Sequence, residues 1–175
     1  MSRRLSRRLA LVVMGSIVAI GLVVDQVTKA VAVAHLVPGQ PVRLVGDIFQ
    51  LALYRNSGAA FSTGASLTVV FALAGLAALA ALGGWVVPKV RTTWWAVTVG
   101  LGLAGIIGNL VDRIVRPPGI LRGHVIDFFA LKYFAVFNVA DAMLTTAAVL
   151  VLVILFFVKV GLDGQPLTQS QTKAA

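Results

Sequence analysis

Four long apolar stretches dominate the pattern of hydrophobic and polar positions along the chain. They run from Leu9 to Val24, from Ala65 to Val87, from Thr92 to Val111 and from Tyr133 to Val158. Each approaches the roughly 20 apolar residues that a helix needs to cross a bilayer. The pattern therefore predicts four transmembrane helices in a single membrane-embedded domain over residues 1–175, at about residues 9–34, 65–87, 92–115 and 135–160.

The connections between the predicted helices differ in character. The connection from His35 to Gly64 contains Pro38, Gly39, Pro41 and Gly46, followed by the apolar and aromatic run Asp47–Tyr54. This pattern is typical of one or two short strands, and it predicts a β-rich loop at about residues 40–62. The connection from His124 to Phe137 is rich in aromatic residues, which suit a membrane interface. The polar residues 162–175 are expected to form a disordered tail.

Composition narrows the fold class. Hydrophobic residues make up 59% of the chain and charged residues 12%, whereas soluble domains carry about 25% charged residues. We therefore expect a mainly α, polytopic membrane protein with four transmembrane helices, a small extracytoplasmic β-rich element and an interfacial segment before the fourth helix. The net charge of +9 is scattered among the apolar stretches, so we expect contact with membrane lipids and no binding to nucleic acid. A four-helix monomer is the default expectation.

The distribution of basic residues indicates the orientation. Arg3, Arg4, Arg7 and Arg8 precede the first predicted helix, Lys89 and Arg91 lie between the second and third, and Lys159 and Lys173 follow the fourth. The positive-inside rule then places both termini in the cytoplasm and the β-rich element outside. A secretory signal peptide cleaved at Ala32-Val33-Ala34 is an alternative interpretation of the first stretch. Because Asp25 and Lys29 interrupt that stretch, we expect it to be retained.

The placement of the acidic residues is the strongest indication of function. The chain contains no glutamate, and four of its six aspartates lie within or at the ends of apolar segments, namely Asp25, Asp112, Asp127 and Asp141. A carboxylate at membrane depth is costly, and it usually faces a bundle interior or a watery cavity where it has a function. Each of the four is therefore a candidate functional residue.

Two sets of polar residues have both a structural and a functional interpretation. Asp25 and Lys29 are spaced i, i+4, and Asn109, Asp112 and Arg113 share one face of the third helix. A carboxylate beside a guanidinium is well satisfied, so Asp112 with Arg113 or another basic partner forms a stable pair. These residues either hold the helices together or support a functional site.

Asp127 and Asp141 are different because they lack obvious basic partners. No basic residue stands at helical spacing from Asp141, and Asp127 has only His124 and Lys132 nearby in sequence. Two unpaired carboxylates held close together share one proton, which is what an aspartic peptidase requires to activate water. A proton-coupled transporter that uses the same aspartates, and a membrane scaffold without catalysis, remain the alternatives from other functional classes.

Other chemistries are less well supported. Ser57, Ser62 or Ser66 could act with His35 or His124, but the sequence contains no strand-to-helix nucleophile turn. His124, Asp127 and Asp112 lack the close spacing of a zinc site. We therefore expect no metal and no other cofactor.

Five short motifs make the chain recognisable as similar to a known family. They are Asp25-Gln26-Val27-Thr28-Lys29, Asn56-Ser57-Gly58-Ala59-Ala60-Phe61-Ser62, Gly108-Asn109-Leu110-Val111-Asp112-Arg113, Val125-Ile126-Asp127-Phe128 and Phe137-Asn138-Val139-Ala140-Asp141. In this order, over roughly residues 20 to 160, they resemble the bacterial lipoprotein signal peptidases, also called signal peptidase II.

The resemblance implies a function and a set of site residues. Members of this family are four-helix aspartic peptidases of the inner membrane that remove the signal peptide from prolipoproteins, just before a cysteine that carries diacylglycerol. By this resemblance Asp127 and Asp141 match the catalytic pair, near the extracytoplasmic face. The residues that match the supporting or substrate-binding positions are Asp25, Lys29, Asn56, Gly58, Asn109, Asp112, Arg113, Asn138 and Ala140. The resemblance also implies that the loop from about Arg43 to Ser62 cradles the substrate.

Overall fold

The computed structural model describes residues 4–58 and 65–167, without the side chains of residues 65 and 66. In chain order its elements are α1 (Arg7–His35), β1 (Val42–Val45), β2 (Phe49–Asn56), α2 (Ala65–Ala81), α3 (Thr93–Val115), β3 (Val125–Leu131), β4 (Val136–Phe137) and α4 (Val139–Val153). A π-helical turn (Leu82–Val86) and a 3-10 turn (Val87–Lys89) extend α2, and a π-helical turn (Ile154–Val158) extends α4. Residues 59–62 of the predicted β-rich loop and 168–175 of the predicted tail lie outside the described residues.

Four helices of the described chain are long and apolar enough to cross a membrane. They cover Arg7–His35, Leu67–Lys89, Thr93–Val115 and Val139–Val158. Large apolar side chains are exposed along all four, for example Ile20, Val70, Val115 and Phe157, as expected where a helix faces lipid. The prediction of a mainly helical, four-span membrane protein with a small sheet is confirmed.

The third helix, α3, is the centre of the bundle. Half of the most apolar 18-residue stretch of α3 is buried. The buried share of the corresponding stretch is 17% in α1 and α4 and 6% in α2. Small residues on α3 let its neighbours approach closely. A Cβ atom on Gly105 would lie only 2.6 Å from the carbonyl oxygen of Ala140 on α4. Glycine at this position therefore allows the backbones of α3 and α4 to pack against each other.

The four strands form one antiparallel sheet in the order β1-β2-β3-β4. Strands β3 and β4 come from the aromatic segment before the fourth helix, so this segment completes the sheet that the earlier loop begins. β-Branched and aromatic residues favour strands, and Val125 to Phe129 are mostly of this kind. Leu53, Ile126 and Phe128 are buried with Ala32 of α1. The sheet is thereby attached to the end of α1.

The fourth helix begins at Val139, four residues later than predicted. Val136 pairs with Ala130 and Phe137 with Phe129 across β3 and β4, which keeps this segment extended. Asn138 then caps α4. Hydrophobicity alone could not mark this boundary, because apolar residues lie on both sides of it.

The opposite end of the bundle is closed by backbone hydrogen bonds. The N–H of Arg91, between α2 and α3, donates to Leu162 O at 2.7 Å, and the N–H of Leu5 donates to Arg91 O at 2.7 Å. Leu167 N donates to Lys159 O at 3.0 Å. Residues 162–167, predicted to begin a disordered tail, are therefore held by backbone hydrogen bonds at both ends, from Leu162 to Arg91 and from Leu167 to Lys159.

Candidate active site

The first turn of α4 positions Asp141. Asn138 is the N-cap, and its Oδ1 accepts a hydrogen bond of 3.0 Å from the N–H of Asp141. In return Asp141 Oδ2 accepts a bond of 3.2 Å from the N–H of Asn138. This reciprocal capping box satisfies two N–H groups at the helix start. The carboxyl group of Asp141 is consequently held in one orientation.

Strand β3 positions Asp127, whose side chain is only 2% exposed. The amide of Asn138 donates to Asp127 Oδ1 at 2.6 Å, and the amide of Asn56 donates to Oδ2 at 2.8 Å. Burial raises the pKa of Asp127 from its ordinary value of 3.8 to about 6. The amide of Asn56 lowers this pKa, the nearby Asp141 carboxyl raises it, and Asn138 lowers it by a smaller amount.

Asn109 of α3 joins these residues from the other side. Its amide nitrogen donates to Asp141 Oδ1 at 2.7 Å. Its amide oxygen accepts from the amide of Asn138 and from Lys29 Nζ, both at 3.2 Å. The side-chain amides of Asn109 and Asn138 thus connect both carboxyl groups to one network.

A buried charged cluster lies behind this network. Lys29 Nζ is 2.9 Å from Asp25 Oδ2 and 2.8 Å from Asp112 Oδ2, and all three side chains are fully buried. Arg116 Nε is 2.6 Å from Asp112 Oδ1. The sequence predicted either Arg113 or another basic residue as the partner of Asp112, and among the described residues its ion-pair partners are Lys29 and Arg116. Arg113 Nη1 donates to Asn109 O at 3.1 Å.

Close packing joins this cluster to the start of α4. The N–H of Ala140 donates to Asp25 Oδ1 at 2.9 Å, and Gln26 Nε2 donates to Asp25 Oδ2 at 3.0 Å. A Cβ on Gly108 would come within 2.6 Å of Asp25 Oδ2. Only glycine leaves room for this arrangement of α1, α3 and α4.

Gly58 helps to hold Asn56. Its N–H donates to Asn56 Oδ1 at 2.7 Å, which orients the Asn56 amide nitrogen toward Asp127. The φ of Gly58 is +80°, and a Cβ there would lie 2.6 Å from the Phe71 ring. Both the backbone conformation and the lack of space therefore require glycine.

The two aspartates face different cavities. Asp127 lines an open cleft of about 590 Å³ together with Tyr54, Arg55, Asn56, Ser57, Gly58, Phe71, Arg113, Ala135 and Val136. Asp141 lines a second cavity of about 500 Å³ with Leu131, Phe134, Ala135, Val136, Phe137, Ala142, Thr145 and Thr146. Ala135 and Val136 line both cavities. This short segment therefore lies between the cavity of Asp127 and the cavity of Asp141.

All eleven predicted site residues come together in this network. Two further residues belong to it that sequence reasoning had not assigned to the site, namely Arg116 and Gln26. Arg116 follows Asp112 by four residues, and this helical spacing was the signal that could have identified it. No three histidine, aspartate or glutamate side chains in the described ranges come together as a metal site would require.

Comparison with known proteins then identifies the family. A family model for signal peptidase (SPase) II matches residues 17–157, which include the whole network. The chain belongs to the signal peptidase II family. A lipoprotein signal peptidase of Rhodococcus jostii (strain RHA1) is 42% identical over 158 residues, covering 90% of this chain and 77% of that protein. One from Mycobacterium avium (strain 104) is 44% identical over 151 residues, covering 86% and 81%.

Solved structures support the fold of this signal peptidase II family member. A bacterial membrane enzyme determined by the in meso method at 1.9 Å resolution aligns with a TM-score of 0.73 at 24% identity. The alignment covers 90% of this chain and 98% of that one. By its family and its four spans, the chain is a peptidase-family, multi-pass protein of the bacterial inner membrane. Its polar network lies between the helices and the sheet.

Proposed function

We propose that this chain is an aspartic endopeptidase that removes the signal peptide from diacylglyceryl-modified prolipoproteins, cutting before the lipidated cysteine. Asp127 and Asp141 are its catalytic pair. The observation that carries this proposal is that Asn138 donates to both carboxyl groups, through its amide to Asp127 and through its N–H to Asp141. Neither carboxyl group has an ion-pair partner within 4.0 Å among the described residues.

The proposed reaction uses water as the nucleophile. One carboxylate accepts a proton from a water molecule while the oxygen of that water attacks the scissile carbonyl carbon. The other carboxyl group donates its proton to the carbonyl oxygen. The resulting tetrahedral diol then collapses, the carbon–nitrogen bond breaks, and the nitrogen receives a proton from the pair. The raised pKa of Asp127, about 6, favours Asp127 as the residue that holds the proton at the start. The reaction needs no cofactor and forms no covalent enzyme intermediate.

The two cavities fit the two parts of such a substrate. The cleft of Asp127 is lined by polar residues from the end of β2, which suits an extended peptide with exposed backbone groups. The cavity of Asp141 is lined mainly by apolar side chains, which suits acyl chains. The scissile bond would then lie at the Ala135–Val136 segment, which lines both cavities.

We further propose that both termini are cytoplasmic and that the active site is near the extracytoplasmic face. Because the number of spans is even, both termini of the chain lie on the same side of the membrane. Exposed basic side chains at the end opposite the sheet support this orientation, namely Arg4, Arg7, Arg8, Lys89 and Lys159. The protein acts as a single-domain monomer among membrane lipids.

The direct test is cleavage of a synthetic prolipoprotein by the purified protein in detergent. Two substrates with identical sequences are compared, one diacylglyceryl-modified on the cysteine and one unmodified, and the products are identified by mass spectrometry. We expect the lipidated substrate alone to yield a fragment that begins with the modified cysteine. In water labelled with ¹⁸O, the released signal peptide should gain one heavy oxygen at its new carboxyl terminus. Equal cleavage of both substrates would contradict the proposed specificity.

The same preparation distinguishes the main alternative. Reconstituted vesicles that show proton-dependent uptake, from protein that is folded but cleaves neither substrate, would support a transporter instead. Folded protein with neither activity would favour a scaffold.

A further inference from the structure

Three basic residues from distant parts of the chain meet at the end of the bundle opposite the sheet. This basic cluster consists of Arg4 before α1, Arg91 before α3 and Lys159 after α4. Arg4 pairs with Thr92 in an isolated β-bridge, which places it beside Arg91. The indole Nε1 of Trp95 donates to Val160 O at 2.9 Å, which brings Lys159 to the same place. The three residues therefore lie around the first turn of α3.

Backbone hydrogen bonds hold the basic cluster in position. The N–H of Arg91 donates to Leu162 O, and its carbonyl oxygen accepts from the N–H of Leu5, both at 2.7 Å. The carbonyl oxygen of Lys159 accepts from the N–H of Leu167 at 3.0 Å. Residues on a fixed backbone lose less conformational freedom when they bind a ligand than residues on a mobile loop. The backbone of the cluster is therefore suited to ligand binding.

The protein does not neutralise the charges of the basic cluster. None of its three residues has an ion-pair partner within 4.0 Å among residues 4–58 and 65–167. In the same part of the chain Asp163 is the one aspartate near this end, and its Oδ1 accepts from the N–H of Gln165. Exposed Arg7, Arg8 and Lys89 add further positive charge. This end of the bundle therefore attracts an anionic ligand.

An apolar groove begins beside the basic cluster. Its volume is about 230 Å³, and it is lined by Thr93, Trp94 and Val97 of α3 and by Leu150 of α4. All four residues belong to helices that are long and apolar enough to cross a membrane, and Trp94 is 42% exposed. The groove is therefore open to the surrounding lipid, where hydrocarbon chains rather than water are available to fill it.

The basic cluster and the groove fit the two parts of one ligand. Because a helix rises about 1.5 Å per residue, Val97 lies about 6 Å deeper along α3 than Thr93, which is the direction in which an acyl chain extends from its headgroup. A free phosphate leaves the groove empty. A zwitterionic phospholipid brings a cation of its own to the cluster, which is unfavourable.

We propose that this end of the bundle binds one anionic phospholipid, with its phosphate against the basic cluster and one acyl chain in the groove between α3 and α4. The proposed cytoplasmic orientation of this end agrees with that chemistry, because anionic lipids of the cytoplasmic leaflet attract basic segments of membrane proteins. The site is at the opposite end of the bundle from Asp127 and Asp141, so lipid binding is measured without substrate.

The first test uses the wild type alone and therefore does not depend on a variant's folding. The purified protein in detergent is titrated with dioleoyl phosphatidylglycerol, dioleoyl phosphatidylcholine or inorganic phosphate, and bound species are counted by native mass spectrometry. We expect one tightly bound phosphatidylglycerol, with an affinity roughly 10-fold or more above that of phosphatidylcholine. Equal affinities of the two lipids, or phosphate binding as tight as that of phosphatidylglycerol, would overturn the proposed site.

The second test removes three charges from either end of the bundle. The cluster variant is Arg4→Gln/Arg91→Gln/Lys159→Gln. The matched control, Arg43→Gln/Arg122→Gln/Lys132→Gln, removes three exposed basic residues near the sheet and lowers the net charge equally. With folding checked by thermal unfolding, we expect the cluster variant to lose the preference for phosphatidylglycerol and the control to keep it. A retained preference in the folded cluster variant, or an equal loss in both variants, would refute the assignment.

The third test fills the groove. Leu150→Trp adds volume where the acyl chain is proposed to lie, whereas Leu152→Trp adds it at an exposed position of α4 outside the groove. We expect Leu150→Trp to bind phosphatidylglycerol roughly 10-fold more weakly, since displacing even two buried methylene groups has an effect of this size. Leu152→Trp should bind it like the wild type. Wild-type affinity in Leu150→Trp would contradict the placement of the acyl chain.

Discussion

Asn138 donates a hydrogen bond of 2.6 Å from its side-chain amide to Asp127 Oδ1, although the same side chain is the N-cap of α4. Its amide oxygen accepts from the N–H of Asp141, so one residue fixes the helix start and the relative placement of two carboxyl groups. The extended segment before α4 brings this cap to β3. Helix initiation and the proposed catalytic geometry are therefore coupled.

Substitutions of Asn138 can separate its effect on helix initiation from its effect on the proposed catalytic geometry. Serine is also a good N-cap, whereas alanine is not, and loss of a cap costs about 1 kcal/mol. We expect Asn138→Ser to unfold near the wild-type temperature but to lose roughly 10- to 100-fold in kcat, because serine cannot reach Asp127. Asn138→Ala should lose stability as well. Wild-type kcat in Asn138→Ser would show that the bridge to Asp127 is unimportant.

The buried ion pairs around Lys29 should dominate stability. Within the described part of the chain, removing this cation leaves Asp25 without an ion-pair partner and Asp112 with Arg116 only. We expect Lys29→Met to lower the free energy of unfolding by about 3–5 kcal/mol, measured by thermal unfolding in detergent. Adding Asp25→Asn to Lys29→Met removes the unpaired charge and should restore part of the loss. Strictly additive losses in the double variant would argue against this explanation.

Gly108 should tolerate no side chain. A Cβ at this position would lie 2.6 Å from Asp25 Oδ2 and 3.1 Å from Ala140 Cβ, and overpacking of this kind costs about 1–3 kcal/mol. We expect Gly108→Ala to lower both the unfolding temperature and the cleavage rate. Gly15→Ala on α1 is the control, because a Cβ there meets nothing within 4 Å. Equal behaviour of the two variants would be inconsistent with the packing described.

The stability of the protein should depend on the protonation of Asp127. Its pKa in the folded protein is about 6, above the ordinary value of 3.8, so the folded protein holds this proton more tightly than the unfolded chain. The stabilisation is complete below the ordinary pKa and is lost as the pH rises through 6. The loss is up to about 3 kcal/mol.

Asp127→Asn removes this titration. The unfolding temperature of the variant relative to the wild type should therefore rise between about pH 4 and pH 7, as measured by thermal unfolding across that range. A difference that stays constant, or that falls with pH, would mean that burial does not raise the pKa of Asp127.

Sequence patterns predicted much of this structure for physical reasons. The long apolar stretches indicated four spans because a bilayer sets the length of a helix. The i, i+4 spacing of Asp25 and Lys29 predicted their contact, which depends on one helix only. Asp127 and Asp141 were predicted to be functional residues because they lack obvious basic partners in the sequence, and an unpaired charge in an apolar segment is costly.

Features that depend on contacts between distant segments were not predictable in this way. The start of α4 depends on pairing of Phe137 with β3, and the partners of Asp112 include Lys29 on another helix. Local periodicity contains no information about these pairings.

The central claim is that Asp127 and Asp141 together activate water, and the most direct test is cleavage of the lipidated substrate by Asp127→Asn and Asp141→Asn. Asp47→Asn is the matched control, because Asp47 is an exposed aspartate with only a surface ion pair to Arg43. We predict that kcat falls by about 10²- to 10⁴-fold in each dyad variant, while the control is unchanged and all three remain folded. Substantial turnover by either folded dyad variant would contradict the account.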